Sequence, residues 1–257
     1  MNFTEKVFDF NLHTNVKSGI GIVNQLPEII EEKGFNKIGF VIDNNLFNAL
    51  PDLNLLIENC KNKFDYIKIH LYKEKFEPTY QYLDKVKLDF KENESPNVDC
   101  IIGIGGGSAI DLAKGIATLI TNHEPAINYR GFPTGLNMSI PVVAIPSTAG
   151  TGTELAYNAV FIDEESKTKL GINTTNNYPI LSLLDPKIVS TAPQSTILGS
   201  GLGALIRTFE TFSTPSANSI SKIFSIEAFK LIVHSLPTVL KDPNDLEAWS
   251  KMQWGAY

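Results

Sequence analysis

Cysteine is scarce in this chain. Cys60 and Cys100 are the two in 257 residues, too few for a disulfide framework, so a reducing compartment is the expected setting. Basic charge is short as well: 22 Lys and Arg stand against 28 Asp and Glu, a net charge of −6. A nucleic-acid binder ordinarily carries a basic face, so that class is set aside. No uninterrupted apolar run approaches the roughly 20 residues of a membrane span. The first residues, Met1–Lys6, lack the charged-then-apolar layout of a secretory leader. The expectation is a cytoplasmic protein without nucleic-acid or membrane partners. No internal repeat or low-complexity segment interrupts a composition that is 43% apolar, enough for one large domain or one and a half.

What is present alternates between two periodicities. Residues 24–34 have helical spacing, with Asn24 as the expected cap, Leu26, Ile29 and Ile30 on one face and Gly34 at the end. Lys37–Asp43 is a mostly apolar strand ending in a carboxylate, and residues 65–72 alternate as an edge strand would. Residues 79–90 read as a helix, 98–104 as a strand, 108–120 as an amphipathic helix and 140–145 as another strand. Apolar strands alternating with helices predict an α/β fold with a doubly wound parallel, Rossmann-like sheet. Asp185-Pro186 and Pro193 then punctuate the chain. Beyond them, 196–212, 218–236 and 245–257 are helical, with Ile220, Ile223, Phe224, Ala228, Leu231, Ile232 and Leu236 on one stripe. Residues 1–190 are therefore expected to form an α/β domain, and 191–257 the start of an all-helical one.

Two motifs carry the chemistry. In Ile101–Lys114, a buried strand runs into Gly105-Gly106-Gly107 and then Ser108 at a helix start. Such a turn either connects tightly or presents backbone amides and the positive end of a helix dipole to a phosphate. In Pro146–Glu154, small residues and hydroxyls follow a second strand. This loop either caps the next helix through Thr151 or Thr153 or lies along a cofactor and hydrogen-bonds to it.

Together, GGGSAIDLAKGIA and PSTAGTGTE resemble the iron-dependent (group III) alcohol dehydrogenase family. The related glycerol dehydrogenases and dehydroquinate synthases share the fold, but PSTAGTGTE is more similar to the alcohol dehydrogenases. Val16–Gly21 resembles the family's opening hairpin, and Glu77-Pro78-Thr79, Asp163 with Lys169, and Leu184-Asp185-Pro186 follow in its order. The resemblance implies a dinucleotide site. Gly105, Gly106, Gly107 and Ser108 would hold the pyrophosphate, while Ser147, Thr148 and Thr151 would contact the ribose and nicotinamide side. Lys169 would reach a ribose hydroxyl. Asp111 would support the glycine turn. Asp43 matches the carboxylate that takes the adenosine ribose, favouring NAD over NADP by repelling a 2′-phosphate; as an alternative it is a helix cap before Leu46.

The resemblance also implies iron or zinc, held by an Asp and a His four residues apart on one helix and by two further His. The segment Gly201–Glu210 matches that helix, yet Gly203 stands at the Asp position and Arg207 at the His position. The other two would lie beyond Tyr257. His13, His70, His123 and His234 have no ligand-like spacing, so no metal is expected to bind. The consequence is large: a cation lowers the pKa of coordinated water from about 15.7 to about 7–9, which for an alcohol is on the order of 10 kcal/mol of alkoxide stabilisation. Three expectations follow: an NAD-dependent oxidoreductase for a small alcohol or aldehyde; a truncated or non-catalytic NAD-binding relative; or a metal-free carbonyl reductase with Arg207 as its electrophile. An uncovered apolar stripe on the helices predicts a homo-oligomer.

Overall fold

The computed structural model describes residues 7–74, 76–92 and 95–257; Met1–Lys6, read above as lacking the layout of a leader, lie outside them. The chain opens with β1 (Asn15–Ser18), a 3-10 turn at Ile22–Gln25, α1 (Leu26–Glu32), β2 (Lys37–Asp43), α2 (Asn44–Ala49), α3 (Pro51–Lys63) and β3 (Tyr66–Tyr72). Next come α4 (Tyr80–Val86), the two-residue strands β4 (Lys91–Glu92) and β5 (Ser95–Pro96), β6 (Cys100–Gly105), α5 (Gly107–Leu119) and β7 (Val142–Pro146). A hairpin of β8 (Asn158–Ile162) and β9 (Lys169–Asn173) precedes β10 (Leu181–Leu184). Four helices close the chain: α6 (Pro186–Val189), α7 (Gln194–Ser213), α8 (Ser219–Lys241) and α9 (Leu246–Ala256).

Six strands form one parallel sheet in the order β1-β10-β7-β6-β2-β3. The period of two divides its side chains between two cores. On β2, Ile38, Phe40 and Ile42 join one cluster with α1 and α3, while Val41 joins the other with α4 and α5. On β6, Ile102 and Ile104 go to the first and Ile101 to the second. Each of these side chains is 0% exposed, worth about 1.5–3 kcal/mol of transfer energy apiece. A third cluster, built on Trp249, Met252, Ile232 and Val239, holds the helical end together and reaches Ala149.

Several expectations are corrected. Val16–Gly21 is not a hairpin; β1 is an edge strand paired in parallel with β10. Asn24 does not cap α1, whose N-cap is Gln25 with no side-chain hydrogen bond and a proline in the first turn. Helix α5 is not amphipathic: Ala109 through Leu119 are all buried, because α4 and the β8–β9 hairpin cover the face that would otherwise meet water. Its small residues allow this, since a Cβ on Gly115 would sit 2.5 Å from the Phe161 ring on β8 and 2.9 Å from Leu83 on α4. Helix α8 continues through Pro237 to Lys241. Its stripe is only half used: Ile232 and Leu236 are buried, whereas Ile223 and Phe224 are 44% and 56% exposed. Among the described residues, α8 is also the one helix long and apolar enough to cross a membrane by length and composition; it packs against α7 and α9.

Candidate functional site

The sheet reverses its winding at β6: the chain proceeds from β6 to β7 and β10 on one side, while β2 and β3 lie on the other. In open parallel sheets, ligands bind outside the carboxyl ends of the strands at such a reversal. The two motifs emerge there side by side, because Gly105 and Pro146 are register partners on β6 and β7. The Ser147 amide donates to the Gly105 carbonyl at 2.8 Å, tying the loops together.

Gly105 has φ 151°, a conformation open to glycine at little cost. A Cβ there would also lie 2.8 Å from the Cβ atoms of both Asp43 and Ala109. Helix α5 then starts from Gly106 with no capping side chain, so its first amides have no acceptor within the helix. The second motif lies over the first. Thr148 packs at 3.5 Å from where a Cβ on Gly106 would be, and Thr151 at 3.1 Å from the same point on Gly107. The close approach of Gly150 to Ser200 Cβ, 2.6 Å from an added Cβ, docks this loop against α7.

A cleft of about 220 Å³ opens beside these loops. It brings together Glu77, Gly107, Ser108, Asp111, Thr151, Lys169 and Arg207 from five separated segments. Asp43, Gly105, Gly106, Ser147 and Thr148 do not line it. Asp43 caps α2, its Oδ1 accepting from the amides of Asn45 and Leu46 at 2.8 and 3.0 Å. The cap reading therefore describes one oxygen, and Oδ2 makes no hydrogen bond among the described residues. Lys169 Nζ is paired with Glu77 Oε1, a partner from the Glu77-Pro78-Thr79 motif. Tyr72, Asp43's register partner at the end of β3, is a neighbour that sequence reading passed over. Burial pushes its hydroxyl pKa upward, with the Ser108 hydroxyl offsetting part of the effect.

Behind the cleft sits an ion pair of which sequence reading singled out Asp111 but not Lys114. Lys114 is 0% exposed and donates to Thr153 Oγ1 at 2.7 Å, Ala156 O at 3.0 Å and Asn158 O at 2.9 Å. Asp111 Oδ1 lies 3.4 Å from the same nitrogen. Asp111 accepts from the Thr153 hydroxyl and from the Val160 amide at 3.1 Å. Burial alone drives the Lys114 pKa down and the Asp111 pKa up. The hydrogen bonds decide otherwise, since three donated bonds need an ammonium and two accepting oxygens need a carboxylate. Asp111 thus binds α5 to the second loop and to β8. Glu154, 3% exposed, lies next to this pair; burial pushes its carboxyl up to about 7, with Lys114 opposing and Asp111 reinforcing the shift.

Arg207 projects from α7 over the other wall, and its Nη1 donates to the Thr151 carbonyl at 2.7 Å. A Cβ on Gly203 would meet nothing within 4 Å. A guanidinium has no lone pair to give and repels a cation, and glycine has no side chain, so these positions do not fit a divalent metal. Among the described residues no group of three His, Cys, Asp or Glu is arranged to hold one. His13, His123 and His234 are exposed and His70 is half-buried on β3.

A sequence profile for iron-containing alcohol dehydrogenases matches residues 13–186. The chain belongs to the iron-containing alcohol dehydrogenase family. Among individual family relatives it is 32% identical over 161 residues to NAD-dependent methanol dehydrogenase of Bacillus methanolicus, covering 63% of this chain and 42% of that protein. It is 28% identical to alcohol dehydrogenase 4 of Saccharomyces cerevisiae over 93% of this chain and 61% of that one. The solved alcohol dehydrogenase of Oenococcus oeni superposes with a TM-score of 0.89 at 27% identity, over 97% of this chain and 64% of its own. The chain thus spans less than two thirds of the length of each. The parallel six-stranded sheet with flanking helices is the fold the resemblance implies.

Proposed function

We propose that this chain binds NAD(H) and serves an alcohol dehydrogenase-like reaction, in which hydride passes between the nicotinamide and the carbinol or carbonyl carbon of a small alcohol or aldehyde. One observation carries the reading: helix-start amides, Thr151, Asp111 and Lys169 from distant segments meet in one cleft at the reversal of a parallel sheet. The diphosphate lies on the amides of Gly107 and Ser108, where partial positive charge and free donors coincide. Thr148 and Thr151 flank the ribose and nicotinamide side, and the free oxygen of Asp43 faces the adenosine ribose. Residues 1–190 are the dinucleotide-binding unit and 191–257 a helical unit whose exposed apolar face supports a homo-oligomer.

The pair Gly203 and Arg207 favours a second reading, in which the chain binds the dinucleotide without metal-dependent turnover. Titration of NADH fluorescence with and without added Fe²⁺ or Zn²⁺ separates the two. Saturable binding indifferent to metal, with no turnover, supports the second; alcohol oxidation that appears only with metal supports the first. No saturable NADH binding under either condition refutes both.

A further inference from the structure

The charged side chains on the cleft wall are Glu77, Asp111, Lys169 and Arg207. Lys169 is paired with Glu77 and Asp111 with Lys114. Among the described residues Arg207 has no ion-pair partner, and its side chain makes one hydrogen bond, to a neutral carbonyl. A guanidinium carries five N–H donors in a planar fork, so most of them remain available. Among the described residues, the single uncompensated charge of the cleft is therefore a bidentate anion receptor held by a fixed carbonyl.

Thr151 decides which anion. Its side chain packs on Gly107 and its carbonyl takes Arg207. It thus touches both the helix start, whose amides receive the diphosphate, and the guanidinium, whose own hydrogen bond goes to Thr151 and to no amide of the turn. Resting on the proposed NAD(H) reading, we infer that Arg207 binds the carboxylate of the second substrate, so that the chain selects a small oxo acid or hydroxy acid over a neutral aldehyde or alcohol. A planar carboxylate matches the guanidinium fork with two parallel hydrogen bonds, which a neutral carbonyl does not. The same charge explains why this wall offers nothing to a divalent cation.

The test uses the whole chain, NADH followed by fluorescence, and oxamate, an unreactive 2-oxo acid analogue, followed by calorimetry with and without NADH. Isobutyramide serves as the neutral probe. Wild type is expected to bind oxamate at least tenfold more tightly than isobutyramide. Arg207→Gln should weaken oxamate at least tenfold and Arg207→Lys should recover part of that loss. NADH affinity should agree within twofold among the three proteins, since Arg207 is exposed and outside the core. Oxamate binding that is absent in wild type, unchanged in Arg207→Gln, or no tighter than isobutyramide overturns the inference. So does a loss in Arg207→Gln confined to NADH, which would give the guanidinium to the diphosphate. Should wild type bind no NADH, the dinucleotide reading fails by itself, and oxamate titration of the nucleotide-free protein still decides the role of Arg207.

Discussion

Replacing Lys114 by Met keeps an unbranched side chain one atom shorter and removes its charge and donors. Four groups lose their partner: Thr153 Oγ1, the carbonyls of Ala156 and Asn158, and Asp111 at 3.4 Å. Asp111 is 8% exposed, so its carboxylate is left nearly desolvated with no counter-charge. Removing one partner of a buried pair costs about 3–5 kcal/mol. For a chain of this size each kcal/mol is about 2 °C of melting temperature, so a loss near 8 °C is expected at pH 7.5. The assay is thermal unfolding followed by circular dichroism, run beside Asp111→Asn and the double variant. Because Asp111 and Lys114 sustain one another, the double variant should melt no lower than the worse single. A loss in Lys114→Met under 2 °C, or a double variant whose loss is the sum of the two singles, refutes an ionised and coupled pair.

Asp43→Ser retains a capping oxygen for α2 and removes the charge, so melting should hold within a degree or two while the preference for NADH over NADPH collapses; an unchanged preference in paired fluorescence titrations contradicts the assignment. Ser108→Asp places a carboxylate in the first turn of α5, favourable to the helix dipole by about 0.5 kcal/mol but hostile to a diphosphate; NADH affinity should fall more than tenfold with no loss of melting temperature. Glu154 gives a pH signature with a defined sign. Its folded pKa of about 7 exceeds the ordinary 4.5, so the folded state holds the proton more tightly and stability falls as pH rises from about 4.5 to about 7, then levels. The full amount is about 3 kcal/mol, and Glu154→Gln should melt higher than wild type at pH 8 and lose that advantage near pH 4.5. Finally, Leu202, Ile206 and Phe209 on α7 and Phe224 on α8 are between 43% and 57% exposed; sedimentation should show self-association, and a monomer that binds no hydrophobic dye would exclude it.

The strands buried on both faces are the most legible part of this sequence. Lys37–Asp43 matches β2 residue for residue, and the carboxyl-end motifs follow it, because an all-apolar run bounded by glycine or a carboxylate has few other solutions. The β8–β9 hairpin was not legible. Its strands are five residues each, interrupted by Gly171 and joined through the polar turn at Asp163, where Glu165 N and Ser166 Oγ donate to the carboxylate. Lys114 was hidden for another reason. A lysine on a helix ordinarily reads as solvated, and its burial here depends on residues 153–158 lying across α5, a contact about 40 positions away in sequence. The same non-local contact turned an expected amphipathic helix into a buried one.

The convergence of the cleft follows from register. β6 and β7 are adjacent and parallel, so the loops leaving Gly105 and Pro146 must emerge together. The third wall is brought in by packing, since Gly150 lets Ser200 approach the loop closely enough to set α7 beside it. Arg207, seven residues further along α7, is two turns away at 3.6 residues per turn and therefore returns to the same face. Its bond to Thr151 is then a consequence of helix periodicity acting on one docking point. Any side chain at this position would lie beside Thr151 at the cleft wall. The identity of the residue there, and not the fold, determines whether the cleft recruits a metal or an anion.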